Sequence, residues 1–319
     1  MKHSFLGNSG LRVGEIGIGT LTWGRDTDFD DAHAILGTLL DAGGNLIDIS
    51  PAYGEGQAPQ ALGELLQKSY RRNDFVICAH AGWNFLDQQI IGDTGRASLI
   101  ATVEQLLRSL NTSYLDLLII DGLELASGQT PIPVNETMQA ISTLLQQGKI
   151  RYYGLHHFPA WKAALIWQQM QDAHQPTPIA FGAQYSLLCR DIETDLVPFS
   201  AYSGQGVLSF APLAGGVLTG KYQNTIPPTS RAATAHLADT VESFLTDRPR
   251  KITQAVVKAA DGLGRTPTDV SLAWLLGQPQ VNALLCGPRT AAQAEQLLKL
   301  DFGILPIQVH EVLSEVSAP

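Results

Sequence analysis

Eight polar side chains that can transfer protons or bind ligands stand at or just after the ends of short apolar segments of this chain. In chain order they are Asp48, Tyr53, His80, Asp121, His156, His157, Gln184 and Tyr185. Any one of them is more often a hydrogen-bonded structural group than a catalyst. Their recurrence at successive segment ends nevertheless predicts one shared acid–base site.

A glycine-rich segment is a candidate for binding phosphate. Residues 211–222 read APLAGGVLTGKY, which contains the pattern Gly-x-x-x-x-Gly-Lys. Tyr222 stands where a nucleotide triphosphatase needs Ser or Thr for magnesium, so that class is excluded. Glycine-rich backbone still holds a pyrophosphate through its N–H groups. We therefore predict a cofactor contact from this segment, at Pro212, Leu213, Gly215, Gly216 and Lys221.

A second candidate anion site follows the last apolar segment. Residues 286–290 read CGPRT and lead into a predicted helix, whose N-terminus attracts negative charge. Gly287 and Arg289 are predicted to bind an anion there. The alternative is a Gly-Pro turn beside a solvated arginine.

Two alternating kinds of segment position these residues. Eight short, uniformly apolar runs predict buried parallel strands: 13–20, 45–50, 75–79, 115–121, 152–157, 179–185, 207–211 and 281–286. Between them, apolar spacing near 3.6 predicts helices at 30–42, 58–68, 98–110, 135–147, 159–171 and 290–300. The alternation predicts a single (β/α)₈ TIM barrel over residues 1–319.

Two segments depart from the alternation. Residues 5–13 are predicted to form an N-terminal β-hairpin at the bottom of the barrel. Residues 222–250 are predicted to form a long loop insertion after the seventh strand. A possible Rossmann domain is not supported, because Gly17-Ile18-Gly19 lacks the third glycine of the dinucleotide fingerprint.

Composition narrows the classes of partner. The 319 residues carry a formal charge of −9, which argues against binding nucleic acid. Hydrophobic residues make up 45% and charged residues 16%, as in a globular chain with a large core. Three scattered cysteines, no signal-peptide pattern and no apolar run of membrane length predict a cytoplasmic protein with no membrane partner. Its expected partner is a small-molecule substrate, and the oligomeric state is not predicted.

The sequence resembles the aldo/keto reductase superfamily over essentially its whole length. The resemblance rests on the N-terminal hairpin, Gly19-Thr20 with Trp23-Gly24, and the segments 47–54, 148–154, 184–188 and 212–222. It implies a (β/α)₈ barrel and NADPH-dependent reduction of aldehydes or ketones, with a tyrosine giving the proton.

The resemblance also implies a catalytic tetrad of Asp, Tyr, Lys and His, of which this chain keeps half. Asp48 and Tyr53 match, whereas His80 stands for the Lys and Asp121 for the His. The family's Lys makes the tyrosine a usable acid, whereas two carboxylates raise the pKa of a tyrosine. A His80 imidazolium stabilised by these carboxylates is expected to replace the Lys in part.

The implied cofactor set is likewise partial. His156-His157 replaces the family's Ser-Asn at the nicotinamide, and Leu297 replaces a residue whose amide contacts the adenine. The resemblance therefore implies NADP(H), more weakly bound than in the family. Its predicted contacts, beyond those already named from residues 212–221, are Gly19, Thr20, His156, His157, Gln184, Tyr185, Gly287, Arg289 and Gln293.

Three functions remain open from the sequence. The first is an NADP(H)-dependent oxidoreductase with the altered tetrad Asp48, Tyr53, His80 and Asp121. The others are a non-redox acid–base enzyme (a lyase, isomerase or hydrolase) and a non-catalytic NADPH-binding relative. A metal site is not predicted, since no ligand-spacing motif is present. Substrate choice is assigned to three loops, at 83–95, 123–133 and 222–250.

Overall fold

The computed structural model describes residues 1–86, 89–123 and 131–319. It begins with an antiparallel hairpin of β1 (His3–Phe5) and β2 (Arg12–Gly14). Leu6, Leu11 and Val13 of this segment are buried against side chains of the barrel interior. The hairpin therefore closes the bottom of the barrel, as predicted.

The eight predicted strands form a closed barrel in which every neighbouring pair is parallel. The TIM-barrel prediction is confirmed. Only the first strand begins clearly later than predicted, because Val13 and Gly14 pair within the hairpin. The barrel strands are β3 (Ile16–Gly19), β4 (Leu46–Ile49), β5 (Val76–Ala81), β8 (Leu115–Asp121), β9 (Ile150–His156), β10 (Ala180–Gln184), β11 (Gly206–Phe210) and β12 (Val281–Cys286). A separate hairpin, β6 (Trp83–Leu86) and β7 (Gln89–Gly92), lies between β5 and the next helix.

Six of the helices that the structure describes were predicted at similar bounds and five were not, and together they alternate with the strands. They are α1 (Phe29–Asp41), α2 (Ala58–Lys68), α3 (Arg96–Ser109), α4 (Val134–Gln146), α5 (Ala160–Asp172), α6 (Leu196–Ser203), α7 (Ala235–Glu242), α8 (Asp247–Leu263), α9 (Pro267–Leu276), α10 (Ala291–Leu298) and α11 (Ile307–Val316). Thr290 caps α10 at its start, where its side chain accepts a hydrogen bond from the Gln293 amide. Gly148 has a φ of +68° just after α4, the left-handed conformation expected of a residue that ends a helix.

Alternation along the strands decides which side chains enter the barrel. Leu46, Cys78, Ile119 and Leu208 are buried together in its interior. Side chains two residues further along a strand point to the same face. Asp48, His80, Asp121 and Phe210 therefore form the next layer upward, at the carboxyl ends of their strands, and the apolar layers below separate them from the bottom.

The segment 222–250 is partly helical. Residues 223–230 have no regular structure, as their composition predicts, but α7 and the start of α8 occupy much of the remainder. In the described ranges no helix is long and apolar enough to cross a membrane.

Candidate active site and cofactor cavity

Four hydrogen bonds join five side chains at the top of the barrel into one chain. Tyr53 Oη donates to Asp48 Oδ2 at 3.1 Å, and His80 Nε2 lies 2.9 Å from Asp48 Oδ1. His80 Nδ1 is 3.0 Å from Asp121 Oδ2, and His156 Nδ1 is 2.7 Å from Asp121 Oδ1. The four predicted tetrad residues are therefore in direct contact, and His156 extends the network through Asp121.

His80 is the cation at the centre of this network. Its two ring nitrogens each face a carboxylate oxygen, and an ionised carboxylate only accepts hydrogen bonds. Burial lowers the pKa of His80, but the charges and hydrogen bonds of Asp121 and Asp48 outweigh it and raise the pKa to about 10. An imidazolium accordingly occupies the position where the resemblance implies a lysine.

Tyr53 is poorly placed as an acid. Burial, followed by the charges of Asp48 and Asp121, raises the pKa of its phenol well above the ordinary range. Its hydroxyl proton points at Asp48, and its ring centroid lies 6.3 Å from that of His80. The neighbouring carboxylates raise this pKa, as expected from the sequence, and the His80 charge does not reverse their effect.

Asp121 remains ionised despite its burial. Burial raises the pKa of this carboxyl, but the His80 charge and the hydrogen bonds from His156 and His80 lower it well below its ordinary range. Asp121 is only 5% exposed, so both oxygens are occupied by the two imidazoles rather than by bulk water. The carboxylate therefore fixes the orientation of two rings at once.

The rings of His156, His157 and Phe210 form a stack. His156 lies 4.8 Å from Phe210 at an interplanar angle of 15°, and 3.7 Å from His157 at 33°. His157 has a φ of +58°, an unusual backbone conformation for a residue other than glycine. Partial burial and the neighbouring His156 lower the pKa of His157 to about 4, so its ring is neutral at pH 7.

Some of these groups are also of metal-ligand type. Asp48, Cys78 and His80 offer atoms within 4.8 Å of one another, as do His80, Asp121 and His156. Both groups depend on His80, whose two nitrogens are held by carboxylates at hydrogen-bond distance. The arrangement is that of a charged hydrogen-bond network, and a metal ion at either group would have to displace one of the two hydrogen bonds of His80.

A cavity of about 550 Å³ opens after β11 and β12, at the same end of the barrel as the network. Eight residues predicted from the sequence line it together: Pro212, Leu213, Gly215, Gly216, Lys221, Gly287, Arg289 and Gln293. Sequence reasoning missed Arg231, which also lines it. The available signal was that Arg231 is the only cation between Tyr222 and Leu245.

Three cations without a carboxylate partner face this cavity. In the described part of the chain, Lys221, Arg231 and Arg289 form no salt bridge, and Arg231 donates to the Gly287 carbonyl at 3.2 Å. Burial, with the neighbouring arginine charges, lowers the pKa of Lys221 and of Arg231. Mutual repulsion of this kind is relieved by a bound anion.

Glycines allow the cations to approach the backbone. A Cβ on Gly216 would lie 2.7 Å from Lys221 Nζ, and one on Gly287 would lie 3.0 Å from an Arg231 guanidinium nitrogen. Gly216 has a φ of +92°, a conformation that other residues rarely adopt. The cavity is thus shaped by glycine where the positive charge concentrates.

The remaining predicted cofactor residues do not line this cavity. Thr20 is buried and donates to the Asp48 carbonyl at 2.9 Å, next to Gly19. Tyr185 is buried, and its hydroxyl donates to Glu193 at 2.7 Å. Gln184, at the end of β10, is exposed at the barrel mouth near the histidine stack. Of these residues, Gln184 and the histidines lie on the barrel's upper face with side chains open to a ligand.

The three predicted substrate loops differ in how much of them is described. The segment 83–95 contains the hairpin β6–β7, and 222–250 contains α7. Most of the loop 123–133 lies outside the described residues, at 124–130.

Comparison with known proteins identifies the family. The chain is 27% identical over 320 residues to a protein of Arabidopsis thaliana described as a probable voltage-gated potassium channel subunit beta, with 99% of this chain and 95% of that protein covered. A protein of the same description from Oryza sativa subsp. japonica is 27% identical over 324 residues, with 100% and 96% covered. The sequence model of the Aldo/keto reductase family matches residues 15–317. With its closed barrel and hairpin, the chain belongs to the aldo/keto reductase family.

Proposed function

We propose that the protein is an NADP(H)-dependent oxidoreductase that interconverts a small alcohol and its aldehyde or ketone. The observation that carries the proposal is a cavity lined by three cations that form no salt bridge with the described residues, at the same end of the barrel as a buried acid–base network. Both lie at the carboxyl ends of barrel strands, where TIM-barrel enzymes place their chemistry.

The residues lining the cavity fit a dinucleotide phosphate. Lys221, Arg231 and Arg289 supply charge for phosphate groups, and the bare backbone at Gly216 and Gly287 leaves room for them. When bound, the nicotinamide supplies or accepts a hydride. Gln184, at the end of β10, and His157, just after β9, are proposed to hold its carboxamide.

Three cations favour NADP(H) over NAD(H). NAD(H) carries only a pyrophosphate, whereas NADP(H) adds a dianionic phosphate on the adenosine ribose. Leu297, which lines the same cavity, offers the adenine a surface without hydrogen bonds. We therefore expect affinity to come mainly from phosphate charge, and to fall as salt concentration rises.

The network then supplies the proton chemistry. His80 keeps a positive charge beside the site at neutral pH, and Asp48 and Asp121 hold its ring in place. Tyr53 donates to Asp48 and so helps orient it. Apolar layers below exclude water from the lower side of the network.

Fluorescence titration tests the cofactor proposal. We expect saturable quenching by NADPH, weaker binding of NADH, and about tenfold or greater loss of NADPH affinity in Arg289→Ala, because one charged phosphate contact is worth about 1.5–3 kcal/mol. Arg12→Ala, an exposed arginine on β2 at the opposite end of the barrel, is the matched control. Equal affinity for NADPH in Arg289→Ala and Arg12→Ala contradicts the proposed phosphate site.

A second candidate is an NADPH-binding regulatory subunit with little turnover. It is favoured by the two relatives described as probable potassium channel subunits and by the replaced half of the tetrad. Turnover of an aldehyde and ketone panel, followed at 340 nm by NADPH oxidation, separates the two. Binding without turnover of any carbonyl favours the subunit.

We also propose a cytoplasmic protein that acts on a small molecule, without a nucleic-acid or membrane partner. Support comes from the formal charge of −9 and from Cys78, Cys189 and Cys286, which are free thiols.

A further inference from the structure

We propose that His156, held by Asp121, exchanges the proton with the substrate oxygen, in the role that the family resemblance gives to Tyr53. The inference deepens the proposed function and rests on it. It assigns to His156 a catalytic position instead of the cofactor contact expected from the sequence.

The hydrogen bond to Asp121 fixes which nitrogen of His156 is available. Asp121 Oδ1 lies 2.7 Å from His156 Nδ1, and an ionised carboxylate accepts but does not donate. Nδ1 therefore carries a proton, and in the neutral ring the lone pair is on Nε2. In the described part of the chain Nε2 has no hydrogen-bond partner, and the side chain is 13% exposed. Carboxylate, oriented imidazole and free Nε2 are the components of a general base.

Packing holds the His156 ring in that orientation. Phe210 and His157 both stack on it, and the His80 ring meets it at 72° with centroids 5.8 Å apart. Rotation about the side chain would break both the stack and the bond to Asp121. Nε2 is thus presented in a fixed direction at the end of β9.

His156 differs from His80 in having a nitrogen free for a substrate. Both nitrogens of His80 face carboxylate oxygens, and its pKa of about 10 keeps both of them protonated. His156 uses only Nδ1, toward Asp121, and His157 beside it is neutral at pH 7. Of these rings, His156 is therefore the one that combines a carboxylate partner with an available nitrogen.

Tyr53 has neither a free atom that faces a substrate nor an easily transferred proton. Its proton is committed to Asp48, at 3.1 Å, and burial beside two carboxylates makes the phenol a weaker acid than free tyrosine. Moving that proton to a substrate would require the hydroxyl to turn away from Asp48. We therefore assign Tyr53 as a positioning residue for Asp48 and His80.

In the direction of oxidation, the substrate alcohol loses a proton and a hydride. The substrate O–H bond breaks and its proton passes to His156 Nε2, while the adjacent C–H bond breaks and its electron pair leaves with the hydrogen as hydride, to the oxidised nicotinamide nucleotide. The C=O bond forms, and His156 returns its proton to water. Reduction is the reverse, with His156 as the acid.

Three single variants test the assignment, with 4-nitrobenzaldehyde and NADPH as the probe reaction. His156→Asn keeps a donor near the position of Nδ1 but removes Nε2, and Tyr53→Phe removes only the hydroxyl. His174→Asn replaces an exposed histidine after α5, at the bottom of the barrel, and serves as control. We expect kcat to fall about 100-fold or more in His156→Asn and less than about tenfold in Tyr53→Phe. A loss in Tyr53→Phe that equals or exceeds the loss in His156→Asn overturns the assignment.

NADPH titration of the same variants separates this inference from the proposed function. We expect the affinity of His156→Asn to stay within about threefold of the unmodified protein, as for a group that acts on the reacting atoms rather than on cofactor binding. Absence of NADPH binding to the unmodified protein contradicts the proposed function. Intact binding with undiminished turnover in His156→Asn contradicts only the inference.

Nitrogen-15 NMR of the histidine side chains tests the inference without any cofactor or substrate. The His156 signal, assigned by its loss in His156→Asn, is expected to show the neutral tautomer with the proton on Nδ1 and the lone pair on Nε2. His80 is expected to keep both nitrogens protonated through pH 8. A neutral His156 with its proton on Nε2 overturns the assignment.

Discussion

At the residue scale, contact among Asp48, His80 and Asp121 was predictable because adjacent barrel strands end at the same edge. The hydrogen-bond pattern was not. Tyr53 donates to Asp48, and the second oxygen of Asp121 accepts from His156. Both hydrogen bonds depend on side-chain torsions that the sequence spacing does not determine. The predicted imidazolium at His80 followed from charge alone, because two carboxylates outweigh the cost of burial.

His80 should make stability depend on pH in a specific direction. Its pKa is about 10 in the folded protein and about 6.5 in an unfolded chain, so above pH 6.5 the folded state binds the extra proton. Its contribution is complete below pH 6.5 and decreases by about 1.4 kcal/mol per pH unit until pH 10. Urea unfolding of the protein and of His80→Gln should give a free-energy difference that shrinks over this interval. A difference that is constant from pH 6.5 to 10 contradicts a permanently charged His80.

At the element scale, the positions of the strands were predictable, but the packing of side chains between neighbouring strands was not. Period-two alternation accounts for the polar layer above Cys78 and Ile119. The stack on His156 also requires a residue without a side chain on β10. A Cβ on Gly182 would lie 2.5 Å from Phe210 Cε2 and 3.4 Å from His156 Cβ. No pattern in the sequence distinguishes this glycine from one that merely ends or interrupts an element.

Gly182→Ala is therefore expected to push Phe210 off its position against His156. Overpacking of this kind costs about 1–3 kcal/mol of folding stability, and we expect turnover to fall further than stability alone explains, because the imidazole loses its support. The matched control is Gly262→Ala in α8, where a Cβ meets nothing within 4 Å. Urea unfolding and kcat measured on both variants check this, and equal behaviour of the two would be inconsistent with a packing role for Gly182.

At the scale of the whole molecule, charge is distributed unevenly. The chain carries a formal charge of −9, yet the cavity after β11 and β12 gathers Lys221, Arg231 and Arg289. The sequence predicted two of these cations from neighbouring motifs. Arg231 was not predicted, because it reaches the cavity through a contact between distant segments. It donates to the Gly287 carbonyl just after β12, and the composition of the segment 222–250 does not reveal this contact. The assignment of residues 1–319 to one domain stays a prediction.

Filling that cavity should stabilise the fold by linkage. At a concentration of 100 times its Kd, NADPH adds about 2.7 kcal/mol, which corresponds to a rise in Tm of roughly 4 °C for a chain of this size, at about 2.1 cal/mol/K of unfolding entropy per residue. We expect Arg231→Ala to lose most of this rise and Arg12→Ala to keep it. Differential scanning fluorimetry with and without NADPH measures the rise in Tm of both variants. An unchanged rise in Arg231→Ala would show that Arg231 does not bind the cofactor.

The net charge of the network at the top of the barrel also affects which substrates can bind beside it. Asp48 and Asp121 are two anions and His80 is one cation, so the three together leave one negative charge in a site shielded from water. A substrate that carries its own carboxylate beside the reacting carbon, such as a 2-keto acid, meets repulsion there that salt screens poorly. For the proposed oxidoreductase we therefore expect the presence of His80 and Asp121, in place of the family's Lys and His, to favour neutral and cationic alcohols and carbonyls over organic acids.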